Sequence, residues 1–399
     1  MSESSLTYFL QAVLIAGAIY TTVWWRPVIL RLQVVGWAVA VSAIAWKYGI
    51  EAQLGFYSND QIQYASTVRT LLNWNWGTGE SATLFWWLEY SKIPYPMAAL
   101  PLALAGVHVA LALKTVSLIF LLALSNDLLR RYRCEGGYGQ FRILYITGCG
   151  FIGGFFSLLA LRDTMMMYFV YRFATDRTLT GRLISFAVIL LLRSHLAAAL
   201  IAAEIMVAAW TWVMSRRNLA YIEAPLLICG GVLVGIGLFY WNFGALQTPG
   251  YGISEVKEIV SNFVGLQFLT QQEKFVRLSV GELLASRLLF SDTVVIPIAF
   301  TVICLLCGGI FTYRHRLALV AFSVYIGIVT NTDFNSFRQN IPLMPLMGML
   351  ILDIYRSRES RKLGMRASGE LGNSPNPTVA DGRHWYKHAG YRAARNVRL

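Results

Sequence analysis

"ILLLRSHLAAAL", residues 189–200, decides how this chain is folded. Arg193, Ser194 and His195 interrupt a long run of otherwise apolar residues. If the run is continuous, residues 164–214 make one membrane crossing. If it breaks at Arg193, the same residues make three crossings, two of them short helices. The parity is the same, so the predicted topology downstream survives either reading. Short, interrupted helices belong where irregular backbone lines a cavity.

The rest of the chain sets the context for that break. Of 399 residues, 56% are hydrophobic and 14% charged, against about 25% charged in soluble domains. Apolar runs of roughly 17–25 residues recur, the length that crosses a hydrocarbon core of about 30 Å. The runs are continuous rather than alternating, which excludes a transmembrane barrel. The first run lacks a basic lead-in and a small-residue cleavage site, so no cleavable signal is expected. The predicted class is an all-α, polytopic helical membrane protein with about 9–11 transmembrane helices.

The net charge of +13 would suggest nucleic acid in a soluble protein. Here it fits basic loops and a basic tail on the cytoplasmic side, so no nucleic-acid partner is expected. Those loops are Arg26 and Arg31; Arg130, Arg131 and Arg133; Arg177 and Arg182; Arg216 and Arg217; Arg314 and Arg316; and Arg356, Arg358, Arg361 and Lys362. Placing them inside predicts an external N-terminus and a cytoplasmic C-terminus. Spans then fall at 5–25, 32–49, 108–129, 141–161, 222–242, 293–312, 317–330 and 341–355. Residues 96–129 are too long for one upright helix at about 1.5 Å per residue, and fit a re-entrant piece plus a span. Residues 1–355 form the membrane domain, and 356–399 a basic, disordered cytoplasmic tail. Connections 50–95 and 243–292 face outward and are amphipathic and aromatic. The cysteines give no disulfide framework; Cys304 and Cys307 form a C-x-x-C inside a predicted span, where they read as small apolar packing residues. No phosphate loop, zinc motif or nucleophile elbow is present.

A sparse set of charged groups then sits at the outer ends of the spans: Asp60 and Arg69, Arg162 and Asp163, Arg193 and His195, Asp333 and Arg338. Ionisable groups at membrane depth face a cavity and pair with each other or a ligand. Each has a plainer explanation. Arg193 and His195 could snorkel from a tight turn, with Ser194 capping the next helix. Asp163 could cap a helix starting at Thr164. Ser58 and Gln61 fit a capping box, and Asp60 would then be a first-turn acid. Ile62, Ala65, Val68, Leu71 and Leu72 make the apolar half of that helix. Arg277 and Arg287 fit a solvated surface helix with the glutamates around them.

Together, outward arginines, one His and one or two carboxylates suit an anionic, lipid-linked substrate such as a lipid pyrophosphate carrying sugars. The arginines would hold the pyrophosphate as leaving group. A carboxylate or His195 would deprotonate the attacking sugar hydroxyl. The scheme requires no metal and no cofactor.

This layout resembles the O-antigen and exopolysaccharide polymerases of the Wzy and EpsG type. The likeness rests on an early external Asp60 followed by Tyr64, on Leu161–Arg162 closing a span, on Arg193-Ser194-His195 before an alanine-rich helix, and on Arg338 before "NIPLMPLMGML". It departs at Asp163, where EpsG-like chains carry Gln or Glu. The resemblance implies a glycosyltransferase of the bacterial inner membrane that joins undecaprenyl-pyrophosphate-linked repeat units at the outer face. It implies Asp60 and His195 as catalytic groups, with Arg162, Arg193, Arg338, Arg69, Asp163 and Tyr64 as substrate contacts. Partners would be the polyprenyl-pyrophosphate oligosaccharide, membrane lipids, a flippase and a chain-length regulator. Two other readings stay open. One is a GT-C-type transferase using a polyprenyl-phosphate sugar, with Asp60 as base. The other is a transporter of lipid-linked saccharide, which should show paired inverted halves.

Overall fold

The computed structural model describes residues 3–48, 59–73, 93–131, 153–154, 157–214, 223–247, 313–329 and 341–350. All belong to the unit Met1–Asp353. The predicted tail, most of both external connections, the span at 293–312 and the cysteine pair Cys304/Cys307 lie outside them. Among the described residues the secondary structure is helical, with no strand. The helices are α1 (Glu3–Thr22), α2 (Val28–Tyr48), α3 (Asn59–Leu72), α4 (Pro94–Leu104), α5 (Val109–Arg131), α6 (Asp163–Thr175), α7 (Leu179–Leu192), α8 (Ser194–Met214), α9 (Glu223–Gln247) and α10 (Tyr313–Val329).

The opening stretch does break the chain. α7 ends at Leu192 and α8 starts at Ser194; Arg193 between them is extended, with its N–H bonded to the Ile189 carbonyl at 2.7 Å. Residues 164–214 are therefore three helices. At about 1.5 Å per residue, α6 (13 residues) and α7 (14 residues) are both shorter than a hydrocarbon core. Residues 96–129 divide as well, into the short α4 and the long α5. Gly106, at φ +84, makes the turn between them. The side-chain amide of Gln11 on α1 fastens that turn, donating to the Gly106 carbonyl and accepting from the His108 N–H.

Two of the described helices are long and apolar enough to cross a membrane, over Val28–Lys47 and Val109–Arg131. They differ in surroundings. α5 is largely buried, packed by α2, α3, α4 and α6. α2 turns Leu30, Val34, Trp37 and Val41 inward, and leaves Val28, Leu32, Val35, Val39 and Trp46 exposed. It is apolar on both faces.

α8 and α9 both pack on α10. The α9–α10 contact is made by backbone. Gly231 and Gly235, four residues apart, face Ser323 and Gly327. A Cβ on Gly235 would overlap the Val324 carbonyl oxygen and lie 2.9 Å from the Gly327 Cα. Small residues at this spacing allow such close approach of two helices.

The face of α3 differs from expectation. Gln61, Tyr64, Ala65, Val68 and Leu71 are buried, while Ile62 is half exposed. The inward face is rotated by one position because α3 lies against α4 and α5 rather than only on a lipid surface. The interior there offers a backbone acceptor, which suits Gln61 better than Ile62.

Candidate functional site

Arg162, Asp163 and Arg193 come from the start of α6 and the α7–α8 junction, and all three are buried. Arg193 Nη2 lies 3.7 Å from Asp163 Oδ1, with side-chain exposures of only 4% and 0%. Its Nη1 donates to the Tyr325 hydroxyl of α10 at 3.3 Å. Tyr95 lies in the neighbourhood of Asp163, and Tyr325 in that of both Asp163 and Arg162. The interior thus gathers two guanidinium groups, one carboxylate and two phenols from α4, α6, α7, α8 and α10.

The turn carrying Arg162 and Asp163 is irregular and buried. Ala160 has φ +54, a left-handed backbone conformation costly for any residue with a Cβ. Polar side chains hold the carbonyls on either side. Gln61 Nε2 donates to the Leu159 carbonyl. Ser117 Oγ donates to the Leu161 carbonyl at 2.9 Å. The Tyr95 hydroxyl meets Ser117 Oγ at 2.8 Å and the Leu113 carbonyl at 2.9 Å. Tyr64 packs edge-on against Tyr95, with ring centroids 5.2 Å apart and planes at 79°.

One capping expectation is corrected here. Asp163 does not cap a helix beginning at Thr164. It is the first residue of α6, Arg162 holds the cap position without a side-chain cap bond, and the first backbone bond runs from the Met166 N–H to the Arg162 carbonyl. The Asp163 carboxylate faces Arg193 instead, with Oδ1 3.7 Å from Nη2. The capping box expected of Ser58 and Gln61 involves Ser58, outside the described residues; the Gln61 side-chain N–H donates to the Leu159 carbonyl.

Of the expected site residues, Arg162, Asp163, Arg193 and Tyr64 come together. Arg69 does not: it lies on the exposed face of α3, since a position five residues after Tyr64 falls on the far side of the helix. Asp60 stands in the first turn of α3 and His195 in the first turn of α8, but both side chains lie outside the described residues. So do Asp333, Arg338, Arg277 and Arg287.

Sequence reading missed Gln61 in this role, Tyr95, Ser117 and Tyr325, and also the buried Lys114 within the apolar α5. Lys114 carried a usable signal, a lone charge inside a span. Tyr95 and Ser117 carried none, being common in apolar helices.

A second charged level lies at the opposite ends of the same helices. Arg172 meets Asp127 at 3.6 Å and Asp176; Arg182 meets Glu204, which also accepts from Tyr313; Arg316 meets Glu223, which accepts from Trp210 at 3.0 Å. Nine to eleven residues of α6, α7 and α10 separate the two levels, about 13–17 Å at 1.5 Å per residue.

No protein-family model, curated protein or solved structure matches this chain. The site's own chemistry has to carry the functional reading.

Proposed function

We propose that the chain is a multi-pass membrane protein, and that its buried arginine–aspartate–tyrosine cluster binds the pyrophosphate of a polyprenyl-linked saccharide. In this reading it is a polysaccharide polymerase that joins such repeat units at the outer face of a bacterial inner membrane. The membrane assignment draws support from the outward residues. Trp25 is 90% exposed, Leu14 71% and Leu233 68%. Apolar side chains along the outer faces of α1, α2 and α9 would aggregate in water and match a bilayer. Small-residue packing of α9 on α10 is a further membrane-type feature.

The observation that carries the function is the burial of Arg162 and Arg193 in one interior region, Arg162 on a turn whose backbone is held by side chains and Arg193 at the α7–α8 junction. Guanidinium groups bind phosphate oxygens bidentately and take up the charge that develops on a leaving pyrophosphate. The bond from the donor's anomeric carbon to the pyrophosphate oxygen breaks. A hydroxyl oxygen of the acceptor sugar forms the new bond to that carbon. The hydroxyl proton passes to Asp60 or His195, and polyprenyl pyrophosphate departs with the electron pair. Asp163, held by Arg193, serves as counter-ion rather than base. The two long helices ahead of Asp60 favour this reading over a GT-C enzyme, which places its Asp directly after the first span.

A deletion strain tests the function. Lipid-linked glycans from a strain lacking the polymerase should stop at a single repeat unit. Truncated repeats would mean a single-sugar transferase, and accumulation at the inner face a flippase. Alanine at Asp60, Arg162, Arg193, His195 or Arg338 should shorten or deplete the polymer with the protein still in the membrane. Wild-type chain lengths in all five variants would sink the site assignment.

A further inference from the structure

We propose that Gln61, Tyr95 and Ser117 are positioning residues that clamp the strained Leu159–Arg162 turn, so that Arg162 and Asp163 are presented to Arg193 and Tyr325. The inference rests on reading the cluster as a pyrophosphate site, and adds to it the part of the fold that sets its geometry.

Ala160 at φ +54 needs an outside reason to stay there. Its neighbours' carbonyls are buried, and a buried carbonyl without a donor costs about 1–3 kcal/mol. Leu161 precedes the α6 cap, and the first turn's bond goes to the Arg162 carbonyl instead. Ser117, from the middle of α5, supplies the donor to Leu161. Gln61, from α3, supplies the donor to Leu159. The two anchors straddle Ala160 and come from different helices, so they fix the turn's rotation as well as its position.

Tyr95 completes the clamp through proton accounting. Two hydroxyl protons serve three contacts. Ser117 gives its proton to Leu161, so the Tyr95 hydroxyl gives its own to Ser117 Oγ or to the Leu113 carbonyl. When Tyr95 donates to Ser117 Oγ, it fills an acceptor site there and leaves the Ser117 proton for the Leu161 carbonyl. Tyr64 in turn holds the Tyr95 ring edge-on. Asp163 follows the clamped residues directly and is fully buried. A small rotation of the turn would therefore carry the carboxylate away from Arg193.

The test uses the full chain in detergent and farnesyl pyrophosphate as probe, with binding measured for single and double variants. Ser117→Ala should weaken binding about tenfold, the worth of one buried hydrogen bond acting through the site. Arg162→Ala should weaken it further. Adding Ser117→Ala to Arg162→Ala should cost less than Ser117→Ala costs alone, because Ser117 acts in part through Arg162. Ser117→Thr keeps the hydroxyl and should bind as wild type. Ala160→Gly should restore part of the Ser117→Ala loss, since glycine adopts the left-handed conformation without penalty. Tyr95→Phe carries the same test should Ser117→Ala fail to fold. Wild-type binding in both Ser117→Ala and Tyr95→Phe, or losses that multiply in the double variant, overturns the clamp and leaves the pyrophosphate reading standing. Wild-type binding in Arg162→Ala and Arg193→Ala overturns the pyrophosphate reading, and the clamp's role in it as well.

Discussion

The two charged levels of the helix bundle use the same residue types differently. At the level of Arg172, Arg182 and Arg316, arginines meet the carboxylates of Asp127, Asp176, Glu204 and Glu223, and Arg172 keeps 39% of its side chain exposed. A partly exposed pair such as Arg172–Asp127 contributes about 0–1 kcal/mol, because water already solvates both partners. At the level of Arg162 and Arg193, the groups are buried, the ion pair is long at 3.7 Å, and a phenol shares the guanidinium. Burial there costs several kcal/mol per ion, which the pairing with Asp163 and Tyr325 offsets in part. Partly exposed pairs such as Arg172–Asp127 carry no such cost.

Substitutions should separate the levels. Asp163→Ala takes away the carboxylate facing Arg193 and should cost about 3–5 kcal/mol, read as a lower thermal midpoint in detergent. Arg172→Ala should cost less than about 1 kcal/mol in the same assay. Equal losses at both levels would remove the distinction.

A smaller effect concerns what joins α9 to α10 at the level of Arg316. If backbone contact, rather than Arg316–Glu223, joins α9 to α10, Gly235→Val should destabilise by about 1–3 kcal/mol or more through overlap with Val324. Glu223→Gln, which keeps the shape and a hydrogen-bonding oxygen, should cost less. A ranking in the other order would place the ion pair first.

The smallest effect is a pH dependence. The Thr178 N–H, and after it the Thr178 hydroxyl and Arg172, hold the Asp176 carboxyl below its ordinary value. A depressed carboxylate stabilises the fold above its unfolded pKa. That contribution fades as pH falls from the ordinary aspartate range, near about 4, through the lower folded value. Asp176→Asn should flatten this acid limb of the melting curve and leave the neutral region nearly unchanged. An unaltered acid limb would show that the turn does not depend on the charge.

Sequence reading reached some of this and not the rest, for identifiable reasons. Arg162, Asp163 and Arg193 stood out because charges in apolar runs are rare enough to be noticed singly. The break at Arg193 was visible as a choice between one helix and three, and the structure chose three. The Gln61 bond to the turn was missed because its acceptor, the Leu159 carbonyl, is 98 positions away. Ile62 was placed inward by hydrophobicity, although on an apolar exterior hydrophobicity no longer marks the inward face.

Composition and apolar run length alone determined that this chain is helical, and that its charges are few and consequential, because both follow from local propensity and burial cost. Only the tertiary structure decided which charges meet. Arg193 finds Asp163 and Tyr325, and Ser117 finds Leu161, through packing of helices distant in sequence. Their partners are set by helix rotation and by the strained turn at Ala160, neither of which is written in any local pattern.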